Sequence, residues 1–282
     1  MLAASLAAAF ATTEAQAARP AGVPSADYVW LDVDDRPLPM QTEAELVEFL
    51  RTAPIIQSRK TQHGKFGVRK LRMEKDGVAA HAASRAIAVE TGRRWLKGRE
   101  IRFFRDHHIH EPAAYALSAL LGLGMVPPAV ERSVDGQPAS VQLWVEQGMI
   151  EKERRERALE PPDKVRYLQQ QYQMFLFDNL INNIDRNEGN IVIDPGWRLW
   201  LIDHSRAFIR DRKLRLPHLV RKVERRLWDR LRSVRDEDLE AAVEPFLDEP
   251  ERAALLERRR LLVELIQRNI AQRGEDEVLF NW

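Results

Sequence analysis

Apolar positions along the chain change their period about half-way. Residues 42–50 (TEAELVEFL) predict a short helix, with Thr42 as its cap, Glu45 three residues on, and Leu46, Val47, Phe49 and Leu50 as its apolar side. Residues 67–73 (GVRKLRM) predict a strand, Lys75-Asp76-Gly77 a tight turn, and residues 78–89 a return strand weakened by its many alanines. Residues 112–121 (PAAYALSALL) predict a helix with Pro112 at its first position and Gly122 as its stop. Two short strands come next at 126–130 and 139–145, with Asp135-Gly136 turning between them. Residues 151–163, with mixed charge and the pair Pro161-Pro162, read as a crossing between halves. Beyond it the helical period dominates. Residues 166–183 place Leu168, Tyr172, Phe175, Leu176 and Leu180 near helical spacing, with a short hairpin after them at 190–203. Residues 214–273 are helical, with Leu255, Leu262, Leu265 or Ile266, and Ile270 on one apolar face. A strand-bearing first half and a mostly helical second half make an α+β chain with a cleft between them.

Length and charge narrow the class. At 282 residues the chain can hold one large domain or two small lobes. Lys and Arg total 44 against 43 Asp and Glu, so no net field draws it to nucleic acid or an anionic membrane. Cysteine is absent, which excludes thiol catalysis, cysteine-ligated zinc and disulfides. Residues 1–17 (MLAASLAAAFATTEAQA) are an apolar leader ending in a small-residue cleavage pattern, but the first cation is Arg19 and a basic n-region is missing. Two readings stay open: an export signal on an exported or periplasmic protein, and an unstructured Ala-rich leader on a cytoplasmic one. The apolar run is about half of the roughly 20 residues a membrane span needs. Residues 19–39, rich in Pro and Asp, read as a linker.

Chemistry concentrates in residues 177–208, FDNLINNIDRNEGNIVIDPGWRLWLIDHSRAF. Asp185 and Asn190 lie close together just after a helix, and Asp203 ends an apolar, strand-like run. With Pro195 and Gly196 centring the turn, Asn190 faces Leu201, and Asp203 lies further along the same side with Val192 and Leu199. An amide and a carboxylate roughly 5–8 Å apart are an oxygen pair that magnesium accepts, water and phosphate completing its shell. Asp185 enters from the preceding loop. Phosphoryl transfer needs these parts: a carboxylate to orient the attacking hydroxyl, and an acid–amide pair to hold the metal. The plainer reading is that Asp185 and Asn190 cap a turn and Asp203 caps the segment after the strand.

The D-x4-N spacing and strand-terminal Asp, with the apolar helix before them and LIDHSRAF after, resemble the atypical protein-kinase-like superfamily. The similar branches are the phosphoinositide-3/4-kinase-like, toxin-type and secretory-pathway kinases. Asp203-His204 stands where typical protein kinases have Asp-Phe-Gly, and no His-Arg-Asp triplet precedes the loop. The resemblance implies a two-lobed α+β fold: residues 1–41 as leader and linker, 42–150 as a nucleotide-binding N-lobe, and 151–282 as the C-lobe. It implies transfer of a phosphoryl group from ATP to a hydroxyl acceptor with magnesium. Asp185 is then the catalytic acid, and Asn190 and Asp203 are the metal ligands. Whether the acceptor is a protein, a lipid or a small molecule is not readable.

In the N-lobe, Glu111 is similar to the helical glutamate that holds the phosphate-binding cation. Arg85 occupies the place expected of lysine, with Lys65, Lys70 and Lys75 as nearby alternatives. A planar guanidinium does not directly replace an ammonium, so a nucleotide-binding pseudokinase is a second reading. AMP transfer on the same fold is a third, and a purely structural helical protein a fourth. Residues 142–146 (QLWVE) resemble the hinge strand beside adenine, which makes Gln142, Trp144 and Glu146 nucleotide-binding candidates, though Trp144 also suits a core. Gly64-Lys65-Phe66-Gly67 fits a phosphate cover or an ordinary turn. His107, His108 and His110 with Asp106 suit a helix entry better than a metal site. Asp203-His204-Ser205 is a poor hydrolase triad, because neighbours in sequence seldom converge on one substrate.

Overall fold

A computed structural model describes residues 28–61, 67–96 and 98–282. The leader, residues 1–17, lies outside the described residues, as do Gly64, Lys65 and Phe66.

The first half runs α1 (Glu43–Thr52), β1 (Ile55–Lys60), β2 (Arg69–Lys75), β3 (Val78–Arg85), β4 (Ala88–Leu96), β5 (Arg99–His107), α2 (His110–Leu121), β6 (Ala129–Val134) and β7 (Gln137–Leu143). Five strands make one antiparallel sheet in the order β1-β2-β3-β7-β6. The predicted cap of α1 forms as a reciprocal pair: Glu45 N–H donates to Thr42 Oγ1 at 3.2 Å, and Thr42 N–H to the Glu45 carboxylate at 2.8 Å. Asp76 and Gly77, both at positive φ, turn β2 into β3, the geometry that matches the twist of a two-residue hairpin. Leu71, Met73, Ala80 and Ala82 point inward and pack with Leu46, Phe49 and Leu50 of α1. Lys70, Ala83 and Arg85 alternate to the opposite side.

Four expectations need correction. The second helix starts at His110, so Glu111 lies in its first turn and not at a cap. Pro112 is no obstacle there, because N–H groups of a first turn have no intrahelical acceptor. The strand expected at 126–130 begins after Pro127-Pro128, which cannot donate to a ladder. The supposed linker is structured from Tyr28 onward: Trp30 and Leu38 are buried, and the Val33 N–H donates to Ala79 of β3. Finally, β4 and β5 form a separate two-stranded ribbon that the sequence did not announce. Its strands are largely solvent-exposed, so they carry no inward–outward alternation to read.

The second half contains β8 (Met149–Ile150), α3 (Glu151–Glu156), α4 (Lys164–Leu180), β9 (Ile191–Ile193), β10 (Leu199–Leu201), β11 (Val223–Glu224), α5 (Arg225–Ser233), α6 (Asp236–Val243), α7 (Glu249–Arg273), α8 (Glu275–Val278) and β12 (Leu279–Phe280). Strands β10, β9 and β8 form a small sheet. On α7, Leu255, Leu262 and Ile266 are buried, as the periodicity predicts.

The β9–β10 hairpin is one residue out of the expected register. Leu199 faces Ile193, and Leu201 faces Ile191. The turn is a five-residue loop closed by Asp194, which accepts from Arg198 N–H at 3.0 Å, and Trp197 rather than Gly196 takes the positive φ. Because strand side chains alternate, a slip of one exchanges the faces. Ile191, Ile193, Leu199 and Leu201 enter the helical core, while Val192 and Trp200 turn to the sheet core. There Trp200 meets Tyr28 and Trp30 with ring centroids 4.6 and 4.8 Å away, and its indole N–H donates to Asp194. Trp200 thus joins the two halves. Replacing it with alanine is expected to destabilise the chain by about 3–5 kcal/mol, read as the shift in urea unfolding free energy. A change below about 1 kcal/mol would mean that this junction contributes little.

Candidate active site

The loop between α4 and β9 takes its shape from one arginine. Arg186 holds the Asp178 carboxylate of α4 at 3.0 Å and donates to the carbonyls of Asn190 at 2.6 Å and Ile202 at 2.8 Å. Its Nη2 also meets His204 Nε2 at 3.0 Å. A guanidinium has only donors, so Nε2 accepts and the imidazole proton is assigned to Nδ1. That Nδ1–H donates to Glu111 Oε1 at 2.8 Å. Glu111 accepts two further bonds, from the His204 backbone N–H at 2.7 Å and from the Gln142 amide at 2.8 Å. Burial opposes its ionisation, but the His204 imidazole, the His204 N–H and the Gln142 amide outweigh burial and lower its pKa.

On this frame stand the three residues singled out by spacing. The Asn190 amide donates to the Asp185 carbonyl at 3.1 Å, which leaves its Oδ1 as an acceptor, and Ile202 N–H donates to the Asn190 carbonyl at 3.2 Å. Asp203 follows directly, at φ 57°, a left-handed conformation that turns its carboxylate out of the strand path. The Asp203 Oδ1 accepts from Ser205 Oγ at 3.0 Å and from Arg85 Nη1, which reaches over from the end of β3. Arg206 bridges Asp106 of β5 and Asp185, at 2.7 Å to each. Hydrogen bonds to backbone groups thus tie Asp185, Asn190 and the strand end before Asp203 into one neighbourhood.

Several N-lobe expectations are revised. Glu111 does not pair with Arg85; among the described residues Arg85 pairs with Asp203, and its Nε is buried without a partner. Gln142 is not at a nucleotide edge, since its backbone is paired on both sides, to Ala83 and Ala129, and its amide is spent on Glu111. The Trp144 N–H donates to His81 O at 3.0 Å, and its ring lies beneath the Lys70 ammonium at 4.5 Å. Glu146 accepts from His81 at 2.6 Å and lies 3.5 Å from Lys70. Lys75 is at the far end of its hairpin, bonded to Thr52. Lys70, Arg72 and Arg85 share one face of the sheet, opposite to Leu71 and Met73. The histidines go separate ways: His108 to Ile87 and Glu131, His110 to Ser205 and Glu251.

Sequence reasoning missed Arg186, Asp178 and Arg206. The one available signal was a lone arginine inside an apolar, amide-rich stretch, NLINNIDRNEGN, where burial demands acceptors.

Among the described residues no group of three or more His, Asp or Glu is placed to hold a metal. The available donors are the Asn190 amide oxygen and the Asp203 carboxylate, two ligand groups on adjoining backbone. That set is too small for a protein-only cage, and fits an ion such as magnesium that takes the rest of its shell from phosphate and water.

No protein-family profile and no curated protein matches the sequence. Solved structures do match the fold. The hydra Fam20 structure, described as determined with sugar, superposes with a TM-score of 0.64 at 13% identity, over 91% of this chain and 97% of that one. A Golgi casein kinase with Mn and ADP bound gives 0.59 at 15% identity, over 85% and 80%. The Helicobacter pylori proinflammatory kinase CtkA gives 0.52 at 10%, over 79% and 98%. The chain has the atypical kinase-like fold. In this fold the sheet half is the N-lobe and the helical half the C-lobe, as the motif pattern led us to expect.

The buried Glu111 makes a testable contribution to the stability of this kinase-like fold. Its lowered pKa means that the contribution is full above the unfolded carboxylate value of about 4.3 and is lost as pH falls through the lower folded value. Wild type and Glu111→Gln should differ by a constant urea midpoint above about pH 5, and converge toward pH 3. A gap that persists unchanged at pH 3 would contradict the assignment.

Proposed function

We propose that the protein is a phosphotransferase that moves the terminal phosphoryl group of ATP to a hydroxyl acceptor. The observation that carries this reading is the shared position of Asp185, Asn190 and Asp203 on one buried frame. The acceptor hydroxyl hydrogen-bonds to Asp185, whose carboxylate Arg206 orients. The acceptor oxygen then bonds to the transferred phosphorus, the bond to the β-phosphate oxygen breaks, the hydroxyl proton passes to Asp185, and ADP leaves. Asn190 Oδ1 and Asp203 would hold magnesium, which would supply neutralisation of phosphate charge. Arg85 and Lys70 face the phosphates from the sheet, while Trp144 and Glu146 lie toward the base. The Mn and ADP in the Golgi casein kinase support the choice of nucleotide and divalent ion.

The Arg85–Asp203 pair favours a second reading, because a metal ligand engaged by arginine binds metal only after that pair opens. On that reading the protein binds nucleotide and transfers nothing. AMP transfer is a variant of the first reading and differs in the product.

Thermal unfolding with ATP and magnesium, alone and together, tests the site. A rise of several degrees at about 100 times Kd that needs both ligands should vanish in Asp203→Ala. No rise under any condition rejects the reading. Mass spectrometry of acceptors then separates the products: a gain of about 80 Da is phosphate and about 329 Da is AMP, and no gain leaves the non-transferring reading.

A further inference from the structure

The β4–β5 ribbon pairs with no other strand, and its two ends have different surroundings. The root is fixed. Phe104 is buried against Ile184 and Ile209, the His107 N–H donates to the Ser205 carbonyl at 2.9 Å, and Asp106 holds Arg206 at 2.7 Å. Phe103 takes φ 51°, rare for an aromatic residue, and this kink keeps Ile101 on the side of Phe104 although they are three positions apart. Arg94, opposite Ile101, covers that side with its guanidinium 4.7 Å from the Phe104 ring centroid. The register then places Arg93 opposite Arg102 and Trp95 opposite Glu100 on the other face of the distal half.

That distal half combines exposed aromatic rings with unbalanced positive charge. Trp95 is 74% exposed and Phe103 57%, and no other Trp or Phe among the described residues is as open. Arg93 and Arg102 face each other directly, which like charge makes unfavourable, and one carboxylate, Glu100, lies 3.6 Å from each. Residues 92–103 (GRRWLKGREIRF) carry five Lys and Arg against one Glu. The whole chain is balanced in charge, so this excess acts only at close range, within a Debye length of about 8 Å. The edges of the ribbon suit an added peptide strand poorly, because the Phe103 kink breaks the ladder half-way along β5 and charged side chains line it. What remains on offer is the side-chain face. An indole beside guanidinium groups matches the headgroup layer of an anionic bilayer, where Trp settles between apolar and polar zones and Arg meets phosphate. No helix among the described residues is long and apolar enough to cross a membrane, so such contact is peripheral.

We infer that the distal half of the β4–β5 ribbon is a docking element for an anionic lipid surface, with Trp95 entering the headgroup layer and Arg93 and Arg102 meeting lipid phosphates. The root ties this element to Asp185 through Asp106 and Arg206, so docking fixes where the candidate site stands relative to the membrane. The inference is independent of the phosphotransferase reading, since it needs neither nucleotide nor transfer.

The experiment is co-sedimentation of the full chain with vesicles of phosphatidylcholine alone and of phosphatidylcholine with one-fifth phosphatidylserine, at low and high salt. The proteins are wild type, Arg93→Gln with Arg102→Gln, Trp95→Ala, and a control that loses the same charge elsewhere, Arg36→Gln with Arg235→Gln, whose side chains are as exposed. Wild type should bind the phosphatidylserine vesicles more tightly than the neutral ones, and less so as salt rises. The ribbon double variant should weaken that binding about tenfold or more, since each arginine near such a surface is worth about fivefold. Trp95→Ala should weaken it too, and the control should bind as wild type. Absence of binding to phosphatidylserine vesicles, wild-type binding by either ribbon variant, or an equal loss in the control would overturn the inference. A poly-glutamate peptide is titrated alongside. If the peptide binds through the two ribbon arginines while vesicles are ignored, the element serves an acidic polypeptide and the lipid assignment is rejected.

Discussion

The hydrogen-bonded chain Arg186–His204–Glu111–Gln142 is the constraint on which the rest of the site depends. It is buried, it crosses from the C-lobe loop to the N-lobe sheet, and its donor and acceptor count closes only with the imidazole proton on Nδ1. Because Arg186 also holds the carbonyls of Asn190 and Ile202, the same group sets the distance between the two proposed metal-binding residues. Glu111, in turn, accepts the N–H of the residue after Asp203, so the carboxylate of Asp203 is aimed by a helix of the opposite lobe. A guanidinium in such a place would be expensive if unmatched; here its donors meet a carboxylate, two carbonyls and a ring nitrogen.

Around this frame the hairpin β9–β10 works as a two-sided wedge. One face completes the helical core and the other, through Trp200, completes the sheet core with Tyr28 and Trp30. Residues on its two ends are thereby fixed relative to both lobes. Arg85 enters from the sheet and takes the Asp203 carboxylate. The choice of arginine over lysine matters here, since a planar fork can hold a carboxylate in the absence of nucleotide and a phosphate in its presence. The ribbon adds the outer wall of the site, tied to it by Asp106 through Arg206.

Local chemistry made much of this legible. The Thr42–Glu45 capping box, the Asp76-Gly77 and Asp135-Gly136 turns, the Gly122 stop and the apolar face of α7 all arise from interactions within a few residues, and all are present. The same holds for the loop motif, because D-x4-N brings Asn190 back onto the Asp185 carbonyl by a bond internal to the loop. What failed was long-range. The ribbon was invisible because neither of its strands is buried enough to alternate, and the hairpin register was missed because Asp194, not the Pro-Gly pair, closes the turn.

The sequence by itself determined the α+β order, the division into a strand-bearing and a helical half, and the close spacing of Asp185 and Asn190 on the loop before β9. Those depend on period, turn chemistry and short spacing. Only the tertiary structure decided that Glu111 serves His204 and Gln142 rather than Arg85, and that Arg85 faces Asp203. Partners so far apart in the chain are chosen by which buried donors remain unmatched once the core has packed, and that count exists only in three dimensions.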